Sequence, residues 1–172
     1  SAIYVKETLA VQQMNKYTFN NDAVSATWVK VTSTTNAPST IYGCLYHPPD
    51  ACDETTLDYL SKTLTDILTN YPNHSLVLGG VFNRLDCSIL NDVFELINIV
   101  DFPTRASAYL DKIFTNDMSY KNAICCAGAP LGKSDHAIVF VTSAFLRQAD
   151  YQTIYRRHVS HGARNSIMLD IA

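Results

Sequence analysis

Leu57, Leu60, Leu64, Ile67 and Leu68 recur at helical spacing through TTLDYLSKTLTDILTNY, residues 55–71. One apolar stripe on a helix must be buried against another layer. The flanking runs offer that layer. STIYGCLYHPP (39–49) precedes the helix and is rich in Ile, Tyr and Thr, with Gly43 and Pro48-Pro49 closing it. SLVLGGVF (75–82) follows, a short apolar run that breaks at Gly79-Gly80. Asp53 or Thr55 is placed to cap the helix, and Asn70 and Pro72 to end it.

Further segments repeat this order. AIYVKE (2–7), ATWVKVTS (26–33), DKIFTN (111–116) and HAIVFVTS (136–143) read as strands. DCSILNDVFELINI (86–99) reads as a second amphipathic helix capped by Asp86. Strands alternating with helices give an α/β or α+β layered fold. No repeat at solenoid periods is visible. The pattern fades from about Ala144, and residues 151–165 carry Arg156, Arg157, His158, His161 and Arg164. This basic stretch reads as a solvated linker or as a tail that contacts phosphate or a partner.

Thirteen Lys+Arg against sixteen Asp+Glu leave a net charge of -3, which excludes a histone-like polycation but not a local basic patch. No run is long and apolar enough for a membrane span, and the first residues lack a signal-peptide pattern. An intracellular location, nucleus or cytoplasm, is expected, and a monomer. The five cysteines are odd in number and include no CxxC pair. A disulfide framework and a zinc ribbon are both poor readings, and a reducing compartment fits best. Cys125-Cys126 reads as two small buried residues in or near a strand.

Three polar groups fall at strand ends, where a rigid scaffold can hold functional side chains. They are Asn83 after residues 75–82, Asp111 opening DKIFTN, and Ser134-Asp135-His136 opening HAIVFVTS. A histidine held by a carboxylate suits phosphate chemistry and metal sites. Singly, each is an ordinary turn or cap; their joint occurrence carries the signal.

LGGVFNRLD (78–86) looks like the GDFN segment of the endonuclease/exonuclease/phosphatase superfamily. LDKIFTN (110–116) resembles its LD-x-I-F-T strand, and LGKSDHAIVFV (131–141) its SDH strand. With DFPTR (101–105), AIYVK and YHPP, the set most resembles endonuclease domains attached to non-LTR retrotransposon reverse transcriptases. The resemblance implies a four-layer α/β sandwich of two sheets with flanking helices, hydrolysing phosphodiesters with Mg²⁺ or Mn²⁺. It implies that His136 contacts the scissile phosphate, that Asp111 orients His136, and that Asp135 belongs to the metal-side carboxylates. Asn83 would bond the phosphate or the attacking water, Tyr46 would place a hydroxyl nearby, and Arg105 would contact the nucleic-acid backbone. DNA is the implied partner, with a reverse-transcriptase domain in the same parent polyprotein.

Two departures qualify this. Val81 stands where the family has an aspartate that orients or activates water, and valine can neither accept nor hold a proton. The family's first strands, one carrying the metal-binding glutamate, have no counterpart here. Residues 1–143 are therefore expected to be the C-terminal part of such a domain, with its N-terminal strands missing, and 144–172 a basic linker or tail. The expectation is a Mg-dependent phosphodiesterase of the DNA endonuclease type, derived from a retrotransposon-like element and impaired both by Val81 and by the missing strand with the metal-binding glutamate. The alternatives are a non-catalytic remnant that binds nucleic acid or protein, and a phosphatase of the same fold acting on small molecules or lipids.

Overall fold

The stripe on the long helix decides which face of the main sheet is dry. The computed structural model describes residues 1–21, 24–32 and 39–142. The strands are β1 (Ala10–Gln13), β2 (Phe19–Asn20), β3 (Ser25–Thr32), β4 (Thr40–Tyr46), β5 (Ser75–Val81), β6 (Ile97–Asn98), β7 (Asp111–Thr115), β8 (Ile124–Gly128) and β9 (Ile138–Thr142). The helices are α1 (Asp53–Asn70) and α2 (Ser88–Asp92), with a 3₁₀ turn at Met118–Asn122. A seven-stranded sheet runs β1-β3-β4-β5-β7-β6, with β2 also on β3, and β8-β9 form a second sheet. The fold is mixed α/β, one large sheet with a small second one and few helices. β4 and β5 are parallel and joined through α1, while the other pairs are antiparallel.

Strand side chains alternate between faces, so one face of the large sheet takes the helix. Ile41, Leu45, Leu76 and Leu78 are buried with Leu60, Leu64 and Ile67 of α1 in one core. Trp28, Gly43, Leu78 and Phe114 stand side by side across β3, β4, β5 and β7. Gly43 is needed in that row because a Cβ there would lie 2.5 Å from the Trp28 ring. The indole N–H of Trp28 donates to the Tyr59 hydroxyl of α1 at 2.7 Å, and that hydroxyl donates to the Tyr17 carbonyl at 2.7 Å. Burying both rings therefore orphans neither polar tip.

The opposite face is only half-buried. Gly79, Val81 and Ile113 share a cavity of about 240 Å³ with Val139 of β9. Among the described residues, no helix is long and apolar enough to cross a membrane.

Four expectations need correction. Residues 2–7 form no strand; the edge of β3 is taken by β1 instead, a fully exposed strand held by backbone pairing. Such a strand has no apolar alternation to betray it. Neither Asp53 nor Thr55 caps α1: Cys52 is the cap residue, and the Asp53 carboxylate turns to His47. The helix expected over 86–99 ends at Asp92. Glu95 takes a left-handed φ of 55°, while Glu95 and Leu96 N–H donate to the Asn91 and Leu90 carbonyls. The Glu95 bond is the single five-to-one bond of an αL helix closure, and the turn it makes frees Ile97 and Asn98 to pair with β7. Cys125 and Cys126 do lie in strand β8, but Cys126 is exposed and Cys125 half-buried, because β8 belongs to the thin second sheet. The basic stretch at 151–165 and the tail from 144 lie outside the described residues.

Candidate active site

β4 and β5 end together, and β7 begins beside them. Tyr46, Val81 and Asp111 therefore occupy neighbouring positions on three adjacent strands. They lie on the face away from α1, by the same alternation that buries Leu45 and Leu78 on the other. Just beyond β5, Asn83 adopts a left-handed φ of 48°, which asparagine tolerates better than most residues. The Phe82 and Asn83 amides both donate to the Leu110 carbonyl, and Asn83 Nδ2 donates to the His47 carbonyl at 2.6 Å. The Asn83 side chain is thus fixed, with one amide hydrogen and its carbonyl oxygen still usable.

His136 comes from the loop before β9. Its Nδ1 lies 2.8 Å from Asp111 Oδ2, and both side chains are largely shielded from solvent. The carboxylate holds the proton on Nδ1, so Nε2 is the nitrogen left to meet a ligand. Tyr46, Val81, Asn83, Arg105, Asp111 and His136 line one cavity of about 380 Å³, together with Pro49 and Ser134. A larger cavity of about 510 Å³ between β6 and β8 brings together no comparable polar set. We assign the chemistry to the smaller one because its lining is convergent.

Arg105 Nε lies 2.7 Å from Asp135 Oδ2, in an exposed ion pair. Asp135 is therefore adjacent to the cavity but bonded to a cation of the chain's own. Lys112, next to Asp111, is turned elsewhere: its Nζ donates to the Leu85 carbonyl at 3.3 Å and lies 3.6 Å from Cys87 Sγ. Asp86 accepts from the Ser88 amide at 3.0 Å, and that backbone bond holds its carboxyl below the usual range. It precedes α2, whose cap residue is Cys87 and not Asp86 as expected, and it does not line the cavity, so it supplies no substitute for a carboxylate at position 81.

Two residues missed by sequence reasoning hold the site together. Thr104 is buried; its Oγ1 accepts from the Asp111 and Leu110 amides, and its carbonyl accepts from Ala137 N at 2.7 Å. It thus braces both members of the Asp111–His136 pair. His47 is fully buried, its ring bonded to Thr56 Oγ1 at 3.0 Å and Asp53 at 3.1 Å. Its N–H donates to the Val81 carbonyl, and its own carbonyl receives Asn83. Both act largely through backbone groups. The only sequence signals are their places inside PTR and YHPP.

A search among solved structures aligns the chain with the endonuclease domain of TRAS1, a telomere-specific non-LTR retrotransposon. The TM-score is 0.60 at 17% identity, over 83% of this chain and 72% of that one. The likeness is one of fold: the chain shares the mixed α/β architecture of that endonuclease domain. A second match is an endonuclease/exonuclease/phosphatase family protein from Bacteroides thetaiotaomicron, with TM-score 0.49 and 12% identity; 77% of this chain aligns, spanning 62% of that one. Neither the family models nor the curated proteins give a match.

Among the described residues, the donors at this cavity do not make an Mg²⁺ or Mn²⁺ site. Such hard cations take about six oxygen ligands, usually including carboxylates. Here Asp111 is bonded to His136, Asp135 is bonded to Arg105, and Val81 offers no donor. Among the described residues, no group of three His, Cys, Asp or Glu side chains is placed to hold a metal ion.

Proposed function

We propose that the cavity is a phosphodiester site of the endonuclease type, from a retrotransposon-like parent polyprotein, in which nucleic-acid binding survives better than cleavage. The observation that carries this is the His136–Asp111 pair at 2.8 Å in one cavity with Asn83 and Tyr46. A protonated Nε2 of His136 donates to a non-bridging phosphate oxygen as charge builds there, and Asp111 stabilises the imidazolium. The Tyr46 hydroxyl and the remaining Asn83 amide hydrogen are further donors. What is missing is a base for the attacking water. Val81 sits between Tyr46 and Asp111 and cannot take a proton, and loss of a positioned base costs roughly 10²–10⁴ in rate.

Supercoiled-plasmid nicking by the native chain and by Val81→Asp, each in Mg²⁺ and in Mn²⁺, tests this. The native chain should nick slowly or not at all. Val81→Asp, which sets a carboxylate beside the Asp111–His136 pair, should raise the rate at least tenfold, and His136→Ala in that background should abolish the gain. No gain from Val81→Asp would remove the argument from position 81. Release of phosphate from small esters with plasmid left intact would favour a phosphatase instead.

A further inference from the structure

We propose that Arg105 takes the place of a divalent cation in this cavity, so that the chain captures a nucleic-acid phosphodiester without metal. The inference rests on the phosphodiester reading above and goes further in saying what neutralises the charge. Four observations carry it. The donor set does not suit a divalent ion, as shown. Arg105 and Asp135 instead form a pair at the same end of the sheet, with Arg105 lining the cavity beside His136 and Asn83. Arg105 also sits in a fixed turn rather than a loose loop. Thr104 N and Arg105 N both donate to the Ala108 carbonyl, Ala108 N returns a bond to Arg105, and Ala106 takes a left-handed φ of 49°. That turn is tied to the site through Thr104, which bonds the Asp111 amide and Ala137.

The fourth observation is the nature of the pair. Both side chains are about half-exposed or more, 49% and 64%. Exposed ion pairs are weak, so an incoming anion can compete for the cation. A guanidinium bound through Nε keeps four N–H donors on its two terminal nitrogens, in the planar fork that matches two phosphate oxygens. Asp135 thus parks and orients Arg105 in the free protein, and the phosphodiester takes it over on binding. Arg105 and His136 then supply the positive charge, with Asn83 and Tyr46 adding neutral donors. No bond is made or broken in this step.

The test is fluorescence anisotropy of a short labelled single-stranded DNA with the full chain, in EDTA and in Mg²⁺ at equal ionic strength. The affinity should agree within about twofold between the two buffers. Arg105→Gln should weaken binding by on the order of tenfold or more, since a charge-assisted bidentate contact is lost. Arg105→Lys should lie between, because a point charge keeps the attraction but not the fork. Asp135→Asn, which releases the arginine, should bind as tightly as the native chain or tighter. Lys62→Gln on α1 is the control for simple loss of one positive charge. Unchanged thermal melting of the Arg105 variants shows that the fold is kept.

Binding that requires Mg²⁺, is lost in Asp135→Asn and ignores Arg105→Gln would overturn the proposal and return Asp135 to a metal. That outcome leaves the phosphodiester reading intact. Conversely, metal-independent, Arg105-dependent binding with no nicking by Val81→Asp supports this proposal while removing the cleavage argument. No DNA binding in either buffer overturns it outright.

Discussion

Thr104 shows how much of this site depends on a residue that need touch no substrate. Its hydroxyl is buried and accepts from the Leu110 and Asp111 amides at 3.3 and 3.1 Å. Thr104→Val keeps the shape but removes the acceptor, leaving those amides without that partner. The expected loss is roughly 1–3 kcal/mol, the cost of buried polar groups left unpaired. Urea unfolding measures it. The same substitution should broaden the downfield Nδ1 proton signal of His136 in NMR spectra, since Asp111 is no longer braced. A sharp, unshifted signal would show that Thr104 is only packing. The candidate side chains Asn83, Asp111 and His136 were legible in the sequence because they follow or open apolar strand runs, whereas Tyr46, the last residue of β4, was reached only through the family resemblance of YHPP. Thr104 and His47 were not, because they work through carbonyls, amides and buried side-chain bonds that leave no periodic trace.

Among the elements, α1, β3, β4, β5, β7 and β9 announce themselves by apolar spacing. The misread ones fail for identifiable reasons. β1 is an exposed edge made of AVQQ, and α2 is cut short by a backbone motif that overrides the apolar pattern through Ile97. The rung through Trp28 and Gly43 shows what the sheet demands of its residues. A Cβ at position 43 would lie 2.5 Å from the indole of a fully buried tryptophan. Gly43→Ala should therefore destabilise by about 1–3 kcal/mol, the usual cost of overpacking. Trp28 is the chain's single tryptophan, so its own fluorescence can follow urea unfolding. The midpoint should fall and the folded emission should shift as the ring is displaced. In a Trp28→Phe background, with unfolding followed by circular dichroism, Gly43→Ala should cost less, because a smaller ring leaves room for the methyl group. Equal losses from Gly43→Ala in the native and Trp28→Phe backgrounds would mean the clash is not the cause.

The whole molecule places its site across two bodies of unequal support. Tyr46, Val81 and Asp111 stand on the large sheet, backed by α1 and by residues such as Leu45 and Leu78 that are almost wholly buried. His136 and Ser134 precede β9, in a two-stranded sheet where no residue of β8 or β9 is fully buried. The bodies are joined near the site by the Ala137 amide on the Thr104 carbonyl and by the His136–Asp111 bond. Segments with few buried contacts open locally at far less free energy than a packed core. Hydrogen exchange at neutral pH should therefore show β8 and β9 amides protected on the order of a hundredfold or more less than those of β4 and β5. Opening of β9 carries His136 away from Asp111, so the phosphate pocket should come apart before the large sheet does. A saturating DNA oligonucleotide that bridges Arg105 and His136 to Tyr46 and Asn83 should close this gap, slowing exchange in β9 while leaving β4 and β5 unchanged. Equal protection of the two sheets in the free chain would show that the second sheet is held as firmly as the first, and that histidine and carboxylate keep their pairing without help from a ligand.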